Sequence, residues 1–195
     1  PYTIVDIARN TSRANRLLAN VKFDYKLADW ANVSYSLAST YFNSQYKNTR
    51  EAITYNPALA PSRTDSNTLA SVAEGSANNT RLQSDLLFTF TKKFAKDFDA
   101  TLMVGNSVQT FTSNNYNITG NNLFVPDLYN VSVRTGEPVV SVGGARSRLA
   151  GNFSDLTVGY KDFLTLNGAY RRDTASDLLI GNNSFDFYTY SGALL

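Results

Sequence analysis

The side chains of this chain that could carry out chemistry are mainly its carboxylates, because the 195 residues include neither histidine nor cysteine. Without these residues, Ser/His triads, thiolate nucleophiles and the commonest zinc ligand are excluded. Paired carboxylates could still support acid–base catalysis, but the 16 acidic residues are scattered along the chain. Asp97 and Asp99 share one face of a predicted strand, yet they lie beside a turn where solvent reaches them. The sequence therefore predicts no enzyme and no catalytic residue.

Oxygen ligands for a cation are concentrated in one segment, residues 173–183. Asp173, Asp177, Asn182 and Asn183 lie there, but their spacing is not that of an EF-hand loop. The sequence leaves calcium binding in this segment open and predicts no defined metal site and no cofactor. The formal net charge is +2 and the paired cations are dispersed, so no nucleic-acid partner is predicted.

Three short turns, edged with aromatic residues, divide the chain at nearly even spacing. They are predicted near residues 28–29, 95–97 and 161–162. Long polar excursions form the other connections, at about residues 48–80, 112–145 and 173–184. A sheet with short turns at one end and long loops at the other is typical of an outer-membrane β-barrel.

Alternating apolar and polar side chains predict the strands between these connections. In the first strand, apolar residues at odd positions from Leu17 to Leu27 alternate with polar residues such as Lys22 and Asp24. The predicted strands are about 13–27, 30–46, 81–94, 98–111, 146–160 and 163–172, with part of a seventh over 185–195. The sequence also predicts a short helix around residues 69–74, and a β-bulge near Gly151, where the apolar face of the fifth strand shifts.

Alternation by itself does not decide whether the apolar face meets lipid or a protein core, since a soluble barrel or sandwich has the same period. Three features favour lipid. Several predicted strands exceed the roughly 9–11 residues that cross a bilayer. The opposite face carries charged and amide side chains, which suit a wet lumen and would be costly in a dry core. Aromatic residues flank the short turns, as in an interfacial girdle: Tyr25, Trp30, Phe94, Phe98, Tyr160 and Phe163.

The number of strands indicates part of a barrel, because the smallest bacterial membrane barrels have about eight. An open sheet in lipid would leave backbone N–H and C=O groups unsatisfied at its edges. The sequence starts at Pro1 without Met and ends inside an alternating stretch, so we expect it to be part of a longer protein. The predicted fold class is all-β: an antiparallel transmembrane β-barrel segment of about six to seven strands. Residues 1–195 are expected to form part of one β-barrel domain.

Several segments of the sequence resemble the barrel of SusC/RagA-type TonB-dependent transporters, the outer-membrane importers of Bacteroidetes. The most specific is residues 155–167, which contain Gly-Tyr-Lys-Asp-Phe. Other similar segments occur along the chain in the same order as in the family: residues 15–30, 85–94, 126–130, 171–173 and 181–185. The sequence departs from the family pattern after residues 173 and 185, which leaves the subfamily and the substrate open.

The resemblance implies a barrel of roughly 22 strands that is filled by a plug domain, and transport that is energised through the TonB complex. The plug domain is absent from this chain. It implies a SusD-like surface lipoprotein as partner, which hands over oligosaccharides or oligopeptides. It also implies contact with membrane lipid and lipopolysaccharide in the bacterial outer membrane. The long loops would then face outside.

Four side chains of the predicted loops are candidates for contact with substrate or partner: Tyr55, Tyr116, Asn117 and Tyr129. They could stack on or hydrogen-bond to a glycan, or they could simply pack their own loops. The predicted function is TonB-dependent import, with this chain as a segment of the barrel wall. The alternative is a soluble, secreted all-β binding domain, similar to an adhesin.

Overall fold

The computed structural model describes residues 7–56, 58, 67–94, 96–161 and 163–194. Seven strands form one sheet, in which each strand pairs with its neighbour in the chain. They are β1 (Ala8–Ala28), β2 (Ala31–Arg50), β3 (Ala70–Phe94), β4 (Phe98–Leu123), β5 (Val139–Tyr160), β6 (Leu164–Ala175) and β7 (Ser184–Leu194). One 3-10 helix, Val131–Val133, lies between β4 and β5.

The sheet confirms the predicted fold class. Consecutive strands pair in antiparallel fashion, with β5 and β6 in register from Leu149 opposite Ala175 to Tyr160 opposite Leu164. Among the strands that the structure describes, β1 and β7 each have a single neighbour, so the sheet is open. An open antiparallel sheet with this order is what a segment of a larger barrel would form.

Strands β3 and β4 are much longer than the sequence predicts, at 25 and 26 residues. The helix predicted around residues 69–74 is wrong, because β3 already begins at Ala70. The apolar alternation used for prediction stops before the strand does. Beyond it, polar pairs occupy the sheet, such as Lys47 with Glu74, at 2.7 Å between Nζ and Oε1.

The connections opposite the short turns span 51–69, 124–138 and 176–183. They are shorter than the excursions predicted at 48–80, 112–145 and 173–184, because the flanking strands extend into those ranges. Residues 57 and 59–66 of the first connection lie outside the described residues. So do Ala95 and Asp162, which belong to two of the predicted turns.

The β-bulge predicted near Gly151 is wrong. The β5–β6 register passes through Gly151, opposite Asp173, without interruption. On the β4 side, contacts of Phe153 with Gly105 and of Gly159 with Asp99 fit one unshifted register. A Cβ at position 151 would crowd the side-chain ends of Asp173 and Arg171, which would have to shift.

The chain divides into two compact units. The long-loop unit consists of Pro1–Arg16, Phe42–Asn79 and Ser113–Ala145. The turn unit consists of Leu17–Tyr41, Thr80–Thr112 and Arg146–Leu195. Of the described hydrophobic residues only four are buried, namely Ala31, Ala70, Val72 and Leu123. A soluble sandwich needs a core between two layers, and a set this small does not provide one.

Candidate functional site

The turn unit carries a continuous apolar face that is open to its surroundings. The register places Val158 opposite Leu166, and Leu164 opposite Leu194, so apolar side chains align across β5, β6 and β7. On β1, Leu17 is 65% exposed and Phe23 is 64% exposed. Exposed apolar surface of this extent marks contact with a partner or a membrane.

The opposite face of the turn unit is held by polar networks. Asn167 donates from Nδ2 to Asp155 Oδ1 at 2.8 Å and to Thr157 Oγ1 at 2.9 Å, between β6 and β5. Asp85 accepts from the hydroxyl of Ser107 and from Gln83 Nε2. Each network satisfies a carboxylate on a half-buried surface, which makes this face suited to water or to polar protein rather than lipid.

An aromatic ring is built into that polar face at Phe153. It lies over Gly105 in the neighbouring strand, where any Cβ would collide with the ring. The guanidinium of Arg171 lies 5.9 Å from the ring centroid and its Nε donates to Asp173 Oδ1 at 2.7 Å. Two glycines, Gly105 and Gly151, therefore make room for a ring, a cation and a carboxylate in one layer.

Aromatic residues cluster beside two of the short turns. Phe98 stacks on Phe94 at 6.0 Å between ring centroids and lies 4.6 Å from Tyr160. Tyr160 in turn contacts Phe163 edge-on at 5.5 Å. The rings thus join the β3–β4 turn to the β5–β6 turn. At the first turn Trp30 contacts Phe90 at 6.2 Å. Of the residues predicted to form a girdle, five therefore have ring contacts beside the turns, namely Trp30, Phe94, Phe98, Tyr160 and Phe163.

In the long-loop unit, the connection 124–138 folds back and packs on the strand ends. Tyr129, Val131 and Val133 cover the buried cluster of Ala70, Val72 and Leu123, in which Val72 is 1% exposed. Backbone bonds fix both sides of the connection, from Phe124 N to Val133 O at 3.1 Å and from Thr135 N to Asn122 O at 3.0 Å. Asn130 caps the 3-10 helix through Ser132 N. The connection is therefore an ordered element with its own small core.

A cavity of about 470 Å³ lies beside this connection. The residues that line it include Glu51, Leu69, Phe124, Asp127 and Tyr129. Burial, followed by the negative charges of Glu51 and Asp127, raises the pKa of Tyr129 above that of an ordinary tyrosine, while Arg9 opposes the shift. The phenol therefore stays protonated and can donate a hydrogen bond.

The four candidates from the sequence do not form one site. Tyr129 lies in the cavity wall, and Tyr55 lies in the connection 51–69, where its N–H donates to Asn67 Oδ1 at 2.7 Å. Tyr116 and Asn117 were expected in a loop, but they lie within β4. Tyr116 is 50% exposed, and Asn117 accepts from the hydroxyl of Tyr46 at 2.8 Å. Whether any of the four contacts a substrate stays a prediction.

Sequence reasoning missed the two carboxylates of the cavity. Glu51 follows the end of β2 and its N–H donates to Ile7 O at 2.8 Å. Asp127 has a φ of 59°, a left-handed conformation that aspartate tolerates in turns. The only signal was the Pro126-Asp127 pair, which is typical of a turn but does not indicate what the turn approaches.

No group of three or more acidic residues is placed to hold a metal ion within the ranges that the structure describes. None of the helices in the described part of the chain is long and apolar enough to cross a membrane.

An open antiparallel sheet with one apolar and one polar face defines the class of this chain, a segment of a β-barrel wall. Solved structures of the RagAB peptide transporter have the same fold. One matches at a TM-score of 0.87 and 15% identity, over 98% of this chain and 21% of that chain. The RagAB peptide importer matches in its open-open state at a TM-score of 0.86 and 14% identity, over 98% of this chain and 20% of that chain.

At this identity the likeness shows the fold, and the chain spans about a fifth of the length of those proteins. No family model and no curated protein matches the chain. The resemblance to RagA-type transporters predicted from the sequence is confirmed at the level of structure. The matched proteins are named as a peptide transporter and a peptide importer.

Proposed function

We propose that this chain is part of the wall of a TonB-dependent importer in the bacterial outer membrane. The observation that carries the proposal is the exposed apolar face of the turn unit, in a sheet with the fold of a transporter barrel. A lipid bilayer is the environment that would cover such a face while leaving the polar face to a wet interior.

The dimensions of the apolar face fit a bilayer. On β1 the apolar alternation covers residues 17–27, about the 9–11 residues that a tilted strand needs to cross the hydrocarbon core. The rings of Phe94, Phe98 and Tyr160 lie beside the turns, where tyrosine and tryptophan belts mark the edge of the bilayer. The ends with short turns would face the periplasm and the longer connections the outside.

The proposed cargo is an oligopeptide, ahead of an oligosaccharide. This choice is supported by the names of the structural neighbours, which are a peptide transporter and a peptide importer. The proposed partners are a SusD-like surface lipoprotein, which would meet the long connections, and the TonB complex acting through a plug domain in the barrel. In this arrangement the chain supplies a rigid wall with a polar inner surface.

The test is purification of the full-length protein from detergent-solubilised outer membranes, with mass spectrometry of whatever accompanies it. The proposal expects a surface lipoprotein in stoichiometric amount. Recovery from the membrane without such a partner would contradict the capped importer and leave an uncapped receptor. Absence from the membrane fraction would contradict the membrane assignment and favour the soluble binding domain.

A further inference from the structure

The cavity in the long-loop unit combines negative charge with apolar walls. Glu51 and Asp127 line it, together with Leu69 and Phe124, and the charges of both acidic residues act on Tyr129 in the same wall. Neither carboxylate takes part in an ion pair within the described ranges, whereas Glu74 in the same unit is paired with Lys47. Among the described residues, the two carboxylates of the cavity wall thus form no salt bridge, although Arg9 lies near enough to Tyr129 to lower its pKa.

The cavity is formed before any ligand arrives. Leu123, in its floor, is buried in the cluster beneath Tyr129. The backbone bonds between residues 124 and 133, and between 122 and 135, hold the rim, and the hydroxyl of Thr135 also donates to Asn122 O at 2.6 Å. A preformed site loses little conformational entropy when it binds a ligand.

These features select one class of ligand group. A basic side chain has a cationic head that carboxylates attract and an apolar stem that Leu69 and aromatic rings can cover. The ring of Phe124 is largely exposed and can lie against a guanidinium or an ammonium. A volume of about 470 Å³ is within the range of small-molecule and side-chain pockets, roughly 300–1,000 Å³.

We propose that this cavity binds the lysine or arginine side chain of an oligopeptide and biases the protein toward basic peptides. The inference rests on the proposed function as a peptide importer, and adds to it a preference for cationic cargo. Glu51 and Asp127 pair with the cationic head. The protonated hydroxyl of Tyr129 donates to an oxygen of the peptide backbone.

The experiment measures binding of two pentapeptides to the full-length protein in detergent. One peptide has arginine between pairs of alanines, and the other has citrulline, which keeps the shape of arginine but removes its charge. We expect the arginine peptide to bind about tenfold more tightly, since hydrogen bonds to charged groups are the stronger ones. Because the carboxylates are partly exposed, the preference should shrink as salt is added.

Glu51→Gln combined with Asp127→Asn should reduce the preference to about twofold or less, leaving binding of the citrulline peptide unchanged. Asparagine accepts the left-handed backbone at position 127, so the loop should stay folded. Glu137→Gln is the matched control, because it removes one charge from the same connection outside the cavity wall, and it should retain the preference.

The outcomes separate the two proposals. Equal binding of both peptides by the wild-type protein would overturn the cationic site and leave peptide import standing. Binding of neither peptide would overturn the site and count against peptides as cargo. A preference that disappears when EDTA removes divalent ions would assign the carboxylates to a metal ion and would also overturn the inference.

Discussion

At the scale of single residues, Gly105 shows how closely the polar face is packed. Its missing side chain makes room for the ring of Phe153, which in turn lies beneath the guanidinium of Arg171. We predict that Gly105→Ala lowers the free energy of unfolding by about 1–3 kcal/mol, the usual cost of overpacking. Urea unfolding of the full-length protein, followed by gel mobility, measures it.

Gly168→Ala is the matched control, because the atom nearest to its new Cβ is Tyr190 Cδ1 at an ordinary 3.6 Å. It should change the free energy of unfolding by less than about 1 kcal/mol. Combining Gly105→Ala with Phe153→Leu should recover part of the loss. Equal effects of the two single substitutions would show that the Phe153 contact does not explain the glycine.

Tyr129 should titrate above ordinary tyrosines. Burial and the charges of Glu51 and Asp127 raise its pKa, so its neutral form is favoured in the folded state. The resulting stabilisation is present below the unfolded pKa of about 10 and is lost as pH rises through the folded pKa. The tyrosinate absorbance of the wild-type protein minus that of Tyr129→Phe gives the titration directly.

The raised pKa of Tyr129 also affects the stability of the protein at high pH. Above about pH 10 the wild-type protein should lose more stability than Tyr129→Phe, and near neutral pH the pH dependence of the two should be the same. A Tyr129 midpoint at or below that of a free tyrosine would contradict both the burial of the phenol and the closeness of the carboxylates.

At the scale of elements, the two turns of the β3–β4 and β5–β6 hairpins are joined by rings rather than by backbone alone. Phe98 contacts both Phe94 and Tyr160. Because an aromatic pair contributes about 0.5–1.5 kcal/mol, Phe98→Leu should lower the free energy of unfolding by about 1–3 kcal/mol. The same urea series measures this loss.

Phe111→Leu is the control for that substitution, since Phe111 lies in the same strand and has no ring partner among the described residues. It should cost less than Phe98→Leu. If the two substitutions cost the same, the ring contacts at the turns contribute nothing beyond the burial of apolar area.

The existence of the strands could be predicted from the sequence, but their lengths could not. Alternation from Leu17 to Leu27 is a sufficient signal for β1, because lipid or core must cover every second residue. Beyond the apolar band a strand is held by pairing with its neighbour. The Lys47–Glu74 pair and the Tyr46–Asn117 hydrogen bond bring together residues 27 and 71 positions apart. No local sequence pattern predicts such pairs.

The same limit applies to the cavity. Tyr129 could be suggested from its type and its place in a long connection. Glu51 and Asp127 line the same cavity as Tyr129 only because residues 124–138 fold back on the strands. The bulge expected at Gly151 had a different origin. Phe153 shifts the apparent apolar face, yet the ladder is continuous and the ring is accommodated on the polar face by Gly105.

At the scale of the whole molecule, we expect the two faces of one strand to lie in opposite surroundings, lipid on one side and water on the other. Val104 lies on the apolar face of β4 with Leu102, and Met103 points to the other side. Val104→Arg should destabilise the folded protein by about 2–4 kcal/mol if the residue lies near the bilayer centre. The folded fraction in outer membranes should fall accordingly. Met103→Arg should be tolerated.

Heat-dependent gel mobility of the full-length protein from outer membranes measures that folded fraction. Both variants add the same side chain to neighbouring positions of the same strand. A difference in folded fraction between them therefore reports the surroundings of each face. Equal loss in the two variants would indicate a core on both faces. Equal tolerance would indicate water on both.

The most direct test of the lipid-facing assignment uses the absence of cysteine from the chain, which makes every introduced cysteine unique within it. Single cysteines at each position from 17 to 27, placed in the full-length protein and labelled in outer membranes, carry a fluorophore that lipid-soluble quenchers reach only from the bilayer. We predict quenching with a period of two, strong at Val21, Phe23 and Tyr25 and weak at Lys22 and Asp24. Quenching that is uniformly absent along the strand, or that does not alternate, would contradict it.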